Sequence, residues 1–375
     1  MIRRPPRSTH CISSAASDVY KRQDLNDSIA QANTATGATS TSFTISSGGT
    51  INGGTAAEFT TLLGYESGSQ ISIANQNLTV DSGTMTLANA VALSATTSGT
   101  VTGEITSGTT ISAMLDSSSG LKDTGTAATQ ALTITVASGD AEATAANLTS
   151  LYGKTTVAVD ASAVTQITGS VAEAIIVYAA GASEITGLGN ETVVTTDTSL
   201  SDVTTLNTLD GNTTGTVNAA SVNSITGTLA KLLTAYGSNG ITGLGNETIS
   251  VSDTGGGSSL AASDLNSLDS KTSGTITTAN GLVTLTGTVA ALNTAYGSEG
   301  LTIQGDEAIT ISDTTVDAEA LNNLNNYTSG VIDADTLTKL TGTLADVNVA
   351  FAADAASSAT ISGLGDQDVE PVSYT

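Results

Sequence analysis

The chain has 375 residues, 35 acids against ten basic residues and a net charge of −25. A field of that sign repels nucleic acid and anionic membrane surfaces, and no apolar run is long enough to span a bilayer. Aromatics make up 3% and charged residues 12%, so the chain lacks the bulky side chains of one large core and the charge density of a disordered polymer.

Residues 1–23 differ in composition from everything after them. They hold Arg3, Arg4, Arg7, Lys21 and Arg22, Pro5 and Pro6, the only histidine (His10) and the only cysteine (Cys11). A secretory signal needs an apolar core that this stretch lacks, and Pro5-Pro6 opposes the amphipathic helix of a transit peptide. Met1 to Thr9 resembles the in-frame translation of a sequencing flow-cell adaptor. Ser13 to Gln23 resembles that of the transposase adaptor used in library preparation, with His10, Cys11 and Ile12 where a sample index falls. The resemblance implies a non-native, disordered segment and a natural chain that begins upstream of Asp24. Residues 24–375 carry five lysines, no arginine and 34 acids, hence a net charge of −29.

Residues 24–50 are expected to form an N-terminal capping helix and first strand. Asp24 to Ile45, DLNDSIAQANTATGATSTSFTI, resembles the opening of bacterial surface β-helix domains. There an amphipathic helix of the type LRDAIAQAN closes the first coil. Leu25, Ile29, Ala30, Ala32 and Asn33 match, and Asn26 stands where that pattern has Arg. The open end of a repeat stack needs such a cap.

From residue 51 the chain repeats. INGG at Ile51, ITSG at Ile105, ITGS at Ile167, ITGT at Ile225 and LTGT at Leu285 and Leu340 recur 54 to 62 positions apart. ITGLGNE at Ile185 and Ile241, LTIQGDE at Leu301 and ISGLGDQ at Ile361 form a second register, and Leu151, Leu209, Leu268 and Leu324 a third. Residues 51–166 are read as divergent copies and 167–375 as regular ones, expected to be truncated at the C-terminus. Each copy is itself double, since GLVTLTGTVAALNTAY aligns with AITISDTTVDAEALNNLNNY. The elementary unit is therefore about 29 residues, in the range of strand-plus-helix solenoids.

Local chemistry predicts a strand followed by a helix. VTLT and ITIS favour β structure through branching and alternation. Thr55-Ala56-Ala57-Glu58 and Ser170-Val171-Ala172-Glu173 have the capping-box pattern. Val171, Ile175 and Tyr178, and Leu229, Leu232 and Leu233, recur at helical spacing. Gly181, Gly237 and Gly297 end the helices. Helices of about ten residues need a strand layer to pack on. The fold expected is an α/β repeat solenoid of parallel strands with right-handed crossovers. One sheet of eleven or twelve strands would run about 55 Å. An all-β right-handed helix is the alternative, because residues 35–135 are rich in strand signals.

LTGTLADVN (Leu340 to Asn348), GITGLGNE (Gly240 to Glu247) and LNTLDGNTTGTVNA (Leu206 to Ala219) resemble repeats of giant cell-surface proteins of marine cyanobacteria and other marine bacteria. The resemblance covers residues 167–368 closely and 51–166 loosely. It implies a secreted, adhesin-like surface protein, extracellular in location. Those proteins often carry calcium-binding nonapeptides elsewhere, and that nonapeptide is absent here.

Candidate chemistry is sparse. Without His or Cys beyond residue 23, Ser–His–Asp and Cys–His catalysis lack a base and Cys/His zinc sites lack ligands. The GITGLGNE glycines do not have the spacing of a phosphate loop and are read as the turn between helix and next strand. Glu191, Glu247 and Glu307 lie six residues before Asp197, Asp253 and Asp313, so on a strand both would share a face. Stacked, they would form oxygen columns fit for calcium, the one cofactor the pattern admits. The competing reading makes the aspartates helix N-caps and leaves the glutamates in solvent. Tyr178, Tyr236, Tyr296 and Phe351 follow the anchor by eleven residues, as core fillers or as platforms for sugars. Asn207, Asn266, Asn293 and Asn322 stand in equivalent positions, as buried ladders or as tolerated surface residues.

The reading is a structural or adhesive repeat module of a large secreted bacterial surface protein, without catalysis. Its expected partners are cell-surface or extracellular-matrix components, polysaccharide among them, and further repeats of the same chain, with no nucleic acid and no membrane insertion. The alternatives are a calcium-responsive adhesin module, a phage tail-fibre segment, whose repeats also contain LNTLDG phrases, and a solenoid polysaccharide-active enzyme.

Overall fold

The computed structural model describes residues 20–21 and 49–371, apart from 53, 69–70, 124–128, 254–258, 279–281, 283 and 366. It is an α/β structure with several sheets, and every strand pairing it describes is parallel. The chain divides into two compact units, Met1–Thr192 and Val193–Thr375.

In the first unit one sheet runs, in order, through Tyr20–Lys21, Thr50–Asn52, Asn77–Met85, Val101–Ile105 and Gln130–Thr133. Tyr20 and Lys21 pair with Ile51 and Asn52, so at that point the opening segment engages the repeat region. The rest of residues 1–23, and the capping helix expected from Asp24, lie outside the described residues. Helices Ala56–Ser67 and Leu87–Thr96 sit in the region rich in strand signals, and the all-β alternative finds no support. Glu142–Thr144 then pairs with Gln166–Gly169 across the helix Ala145–Tyr152. Helix Val171–Ala179 starts with the expected capping box. The Glu173 N–H donates to Ser170 Oγ at 3.2 Å, and Ser170 N–H donates to Glu173 Oε2 at 2.9 Å. Two of its expected apolar positions are displaced. Val171, Ala174 and Val177 are buried, rather than Ile175 and Tyr178, because the helix meets the strands along an i, i+3, i+6 line.

The second unit carries helices Val203–Asp210, Leu229–Gly237, Ala262–Asp269, Val289–Gly297, Ala318–Asn325 and Leu344–Asp354. One sheet runs Ser199–Leu200, Ser224–Gly227, Thr248–Val251, Ile276–Thr278, Leu301–Thr302. Another runs Ser259–Ala261, Thr284–Gly287, Ala308–Ile311, Ile332–Asp333, Ile361–Ser362. A shorter one holds Thr315–Asp317, Lys339–Gly342, Asp368–Pro371. Paired residues lie 23 to 29 positions apart, as in Ile309↔Ile332 and Ile332↔Ile361. Every such step passes through one helix, so each is a strand–helix–strand crossover. Helix Leu229–Gly237 packs on Ala262–Asp269, that on Val289–Gly297, and that on Ala318–Asn325.

The expected single long sheet is not what forms, since among the described residues no sheet exceeds five strands. Thr284–Gly287 leads straight into its helix, whereas Ala308–Ile311 is followed by a second strand, Thr315–Asp317, before the helix begins. That extra strand starts the next sheet, so successive copies share two sheets. The two half-copies that look alike in sequence therefore differ at this turn.

Five of these six helices bury the same line of side chains: Val203, Leu206, Leu209; Leu229, Leu232, Ala235; Ala262, Leu265, Leu268; Val289, Leu292, Ala295; Ala318, Leu321, Leu324. The sixth buries Val347 and Ala350 and leaves Leu344 exposed. Leu206, Leu232, Leu265, Leu292 and Leu321 are each fully enclosed. Truncating Leu265 to Ala is expected to cost roughly 2–5 kcal/mol in chemical denaturation, and an unchanged midpoint would contradict this packing. Gly237 and Gly297 end their helices as expected but without a left-handed cap, because extended Ser238 and Ser298 turn the chain instead.

Candidate functional site

The recurrent carboxylates, tyrosines and glycines meet at the turn between a two-residue strand and the strand after it, Ile241–Thr242 and Thr248–Val251 in one copy, Leu301–Thr302 and Ala308–Ile311 in the next. In GITGLGNE the chain doubles back at glycines of positive φ, and Gly245 adopts φ +142. This aims its N–H at the Glu247 carboxylate, at 2.8 Å from Oε2. Tyr236, from the end of the preceding helix, donates its hydroxyl to the same oxygen at 2.5 Å. The arrangement recurs with Gly305, Tyr296 and Glu307, at 2.9 and 3.2 Å. In the first unit it recurs with Gly189, Tyr178 and Glu191, at 2.8 and 3.0 Å.

Glu191 and Glu247 are fully buried and Glu307 almost so. The expectation that they are solvated is thereby corrected. A buried carboxylate needs hydrogen-bond donors, and backbone N–H groups with a phenol supply them. Burial pushes the Tyr236 phenol well above its ordinary value, with the hydrogen bond and charge of Glu247 adding to the effect. Burial and then the charge of Glu307 do the same to Tyr296. Both phenols therefore remain donors at neutral pH.

A Thr-Ser-Gly turn from the next coil closes the arrangement. Thr328 Oγ1 donates to the Glu307 carbonyl at 3.1 Å and accepts from Gly330 N–H at 2.9 Å. Ser329 N–H donates to the Gly305 carbonyl at 2.7 Å. Thr272, Ser273 and Gly274 clip Glu247 and Gly245 in the same way. A Cβ on Gly274 would stand 2.0 Å from the Glu247 carbonyl oxygen, so only glycine fits. The sequence reading missed this clip, although Thr-Ser-Gly recurs at Thr97, Thr272 and Thr328.

The aspartates act elsewhere. Asp253 Oδ2 accepts from Leu229 N–H at 2.7 Å, and Asp313 Oδ2 from Val289 N–H at 2.7 Å. They do cap helices, but the helix 24 residues earlier rather than the one ahead. The helices ahead of them take Ala261 and Asp317 as their own N-caps. Asp197 bonds the Thr195 hydroxyl at 2.7 Å, and Asp202 is the N-cap of the helix after it. The Glu and Asp sets expected to form common columns thus have separate partners. Among the described residues no group of three or more His, Cys, Asp or Glu side chains converges to hold a metal ion.

Two further devices join coils. Asp210 and Asp269, at the ends of their helices, accept from Ser238 and Ser298 hydroxyls at 2.7 Å. The asparagines form a ladder in which Nδ2 of Asn207, Asn266, Asn293 and Asn322 donates to the carbonyl of Lys231, Ala291, Ala320 and Asp346, at 2.9–3.0 Å. Each rung crosses from one helix to the next. Leu233 stands where the equivalent helix has Asn293.

No family model matches the chain, and neither a curated protein nor a solved structure matches it. Among the described residues, no helix is long and apolar enough to cross a membrane.

Proposed function

We propose that this chain is a structural or adhesive repeat module of a large secreted bacterial surface protein, built as a strand–helix solenoid and not a catalyst. One observation carries the reading: the side chains with the most chemical potential are engaged in internal hydrogen bonds, within one coil or between two. Glu247 and Glu307 are buried under phenols and backbone N–H groups, Asp253 and Asp313 cap the previous coil's helices, and the asparagines tie neighbouring helices. A module whose work is to present a repeated surface uses polar groups in this way. The resemblance to marine bacterial surface repeats supports an extracellular setting, with matrix components as partners.

Two measurements test the reading. Deleting residues 225–284, one anchor-to-anchor unit, should leave a folded protein with unchanged helix and strand fractions by circular dichroism, since repeat arrays depend on nearest neighbours. Collapse of the whole chain would overturn the solenoid. Beads coated with the protein should adhere to bacterial extracellular matrix, and antibody should label intact source cells. Labelling only after permeabilisation would overturn the surface assignment.

A further inference from the structure

The repeat departs from its own pattern at one exposed place. LNNLNNYTSG from Leu321 aligns with LNSLDSKTSG from Leu265 and LNTLDGNTTG from Leu206. Asn323, Asn326 and Tyr327 thus replace Ser267, Ser270 and Lys271 of the preceding copy. All three are exposed, so the packing shared by the copies does not require them. They line a groove of about 430 Å³ together with Asn293 and Ala320.

Tyr327 is 46% exposed. It stacks on Tyr296, centroids 5.7 Å apart and planes within 5°. Tyr296 is itself held by Glu307, so the exposed ring is fixed before anything binds, which lowers the ordering cost of a contact. Tyr296 does not line the groove, so the surface of Tyr327 that does is one the stack leaves open.

The chemistry of the walls selects a class of ligand. They carry carboxamides, which both donate and accept, beside an aromatic face, and no charged group. Vicinal hydroxyls also both donate and accept, and the C–H face of a pyranose ring is apolar enough to lie on a tyrosine. The acidic field of the chain disfavours anions. We infer that this groove binds a neutral sugar, with Tyr327 as its platform and Asn323 and Asn326 reading hydroxyls. The inference rests on the adhesive reading above and assigns it a contact point.

The test applies the full chain to an array of neutral and acidic glycans. Each bound neutral glycan is then titrated in solution against wild type, Tyr327→Ala, Tyr327→Phe, Asn326→Ala and the reference Lys271→Ala, the same position one copy earlier. Circular dichroism verifies that each variant is folded. At least one neutral glycan should bind, weakened about tenfold by Tyr327→Ala, weakened by Asn326→Ala, and nearly unaffected by Tyr327→Phe and Lys271→Ala. A glycan bound equally by Tyr327→Ala overturns the groove and leaves the adhesive reading standing. Failure to bind any neutral glycan also overturns the groove, while the bead assay decides the adhesive reading separately.

Discussion

Residues 236–247 and residues 351–367 carry the same turn motif with different side chains. The first pairs Tyr236 with Glu247. The second has Phe351 and Gln367 in those places. Where the phenol is lost the carboxylate is lost with it, a substitution of both partners inside one chain. Gln367 turns its amide to the Leu337 carbonyl at 3.2 Å, and its Oε1 is buried without a hydrogen-bond partner among the described residues. Gln76, in the first unit, is a third variant. It is buried, it is not acidic, and its carbonyl accepts from Thr97 at 2.5 Å in the manner of the Thr-Ser-Gly clip. The backbone clip is therefore separable from the charge, whereas the carboxylate goes with the phenol. The physical reason is that a buried amide tolerates a missing donor far better than a buried carboxylate does.

The strongest way to break this comparison is Gln367→Glu alone. It places a carboxylate at the position equivalent to Glu247, in a copy whose tyrosine is replaced by Phe351, and should cost about 3 kcal/mol or more in urea denaturation. Adding Phe351→Tyr should recover a large part of that loss. No recovery would mean that the two places are not equivalent.

Next in size are the clip glycines. Gly274→Ala should cost about 1–3 kcal/mol, because the new methyl meets a backbone oxygen that cannot swing away. Gly99→Ala should cost a similar amount, since its Cβ would lie 2.2 Å from the Gln76 carbonyl oxygen. A large difference between them would tie the clip to the carboxylate after all.

An effect of the same order is expected from converting the first version into the second. Tyr236→Phe and Glu247→Gln should each cost about 1–3 kcal/mol, and the double variant less than the sum. Strict additivity would deny the coupling.

The smallest effect appears with pH. The folded-state values of Tyr236 and Tyr296 are raised by burial and by their glutamates. Above about pH 10 the unfolded chain releases those protons while the folded chain keeps them. Their contribution is thus complete below about pH 10 and is lost as pH rises further. Between about pH 8 and pH 11, wild type should lose more stability than Tyr236→Phe/Tyr296→Phe. Parallel losses would exclude the phenols as the cause.

Much of the architecture could be read from local chemistry. Leu265 and Leu292 recur at positions that must be buried on a helix, the strands alternate branched side chains, and Ser170 with Glu173 announces a helix start. The candidate site was legible only in part. Glu247 and Tyr236 are each visibly recurrent, but nothing local links residues on a turn and a helix, and a glutamate on a turn is expected in water. Their separation, 11 residues in two copies, together with the joint change to Phe351 and Gln367, was the available signal.

The sequence by itself determined the spacing of the recurrent segments, the alternation of strand and helix, and the buried leucines Leu206, Leu232, Leu265, Leu292 and Leu321, because these depend on spacing within one segment. Tertiary structure alone decided which coil each polar group serves. Asp253 looks like a cap for the next helix and instead caps the helix of the previous coil. Asn266 reads equally as a buried rung or a surface residue, and it holds the next helix. The strand before Thr315–Asp317 looks like its relatives and hands the chain to a new sheet. Where parallel strands pair across one helix, residues 23 to 29 positions apart lie side by side, so the partner of a side chain such as Asp253 or Asn266 lies far along the chain and its identity depends on register rather than on neighbouring sequence.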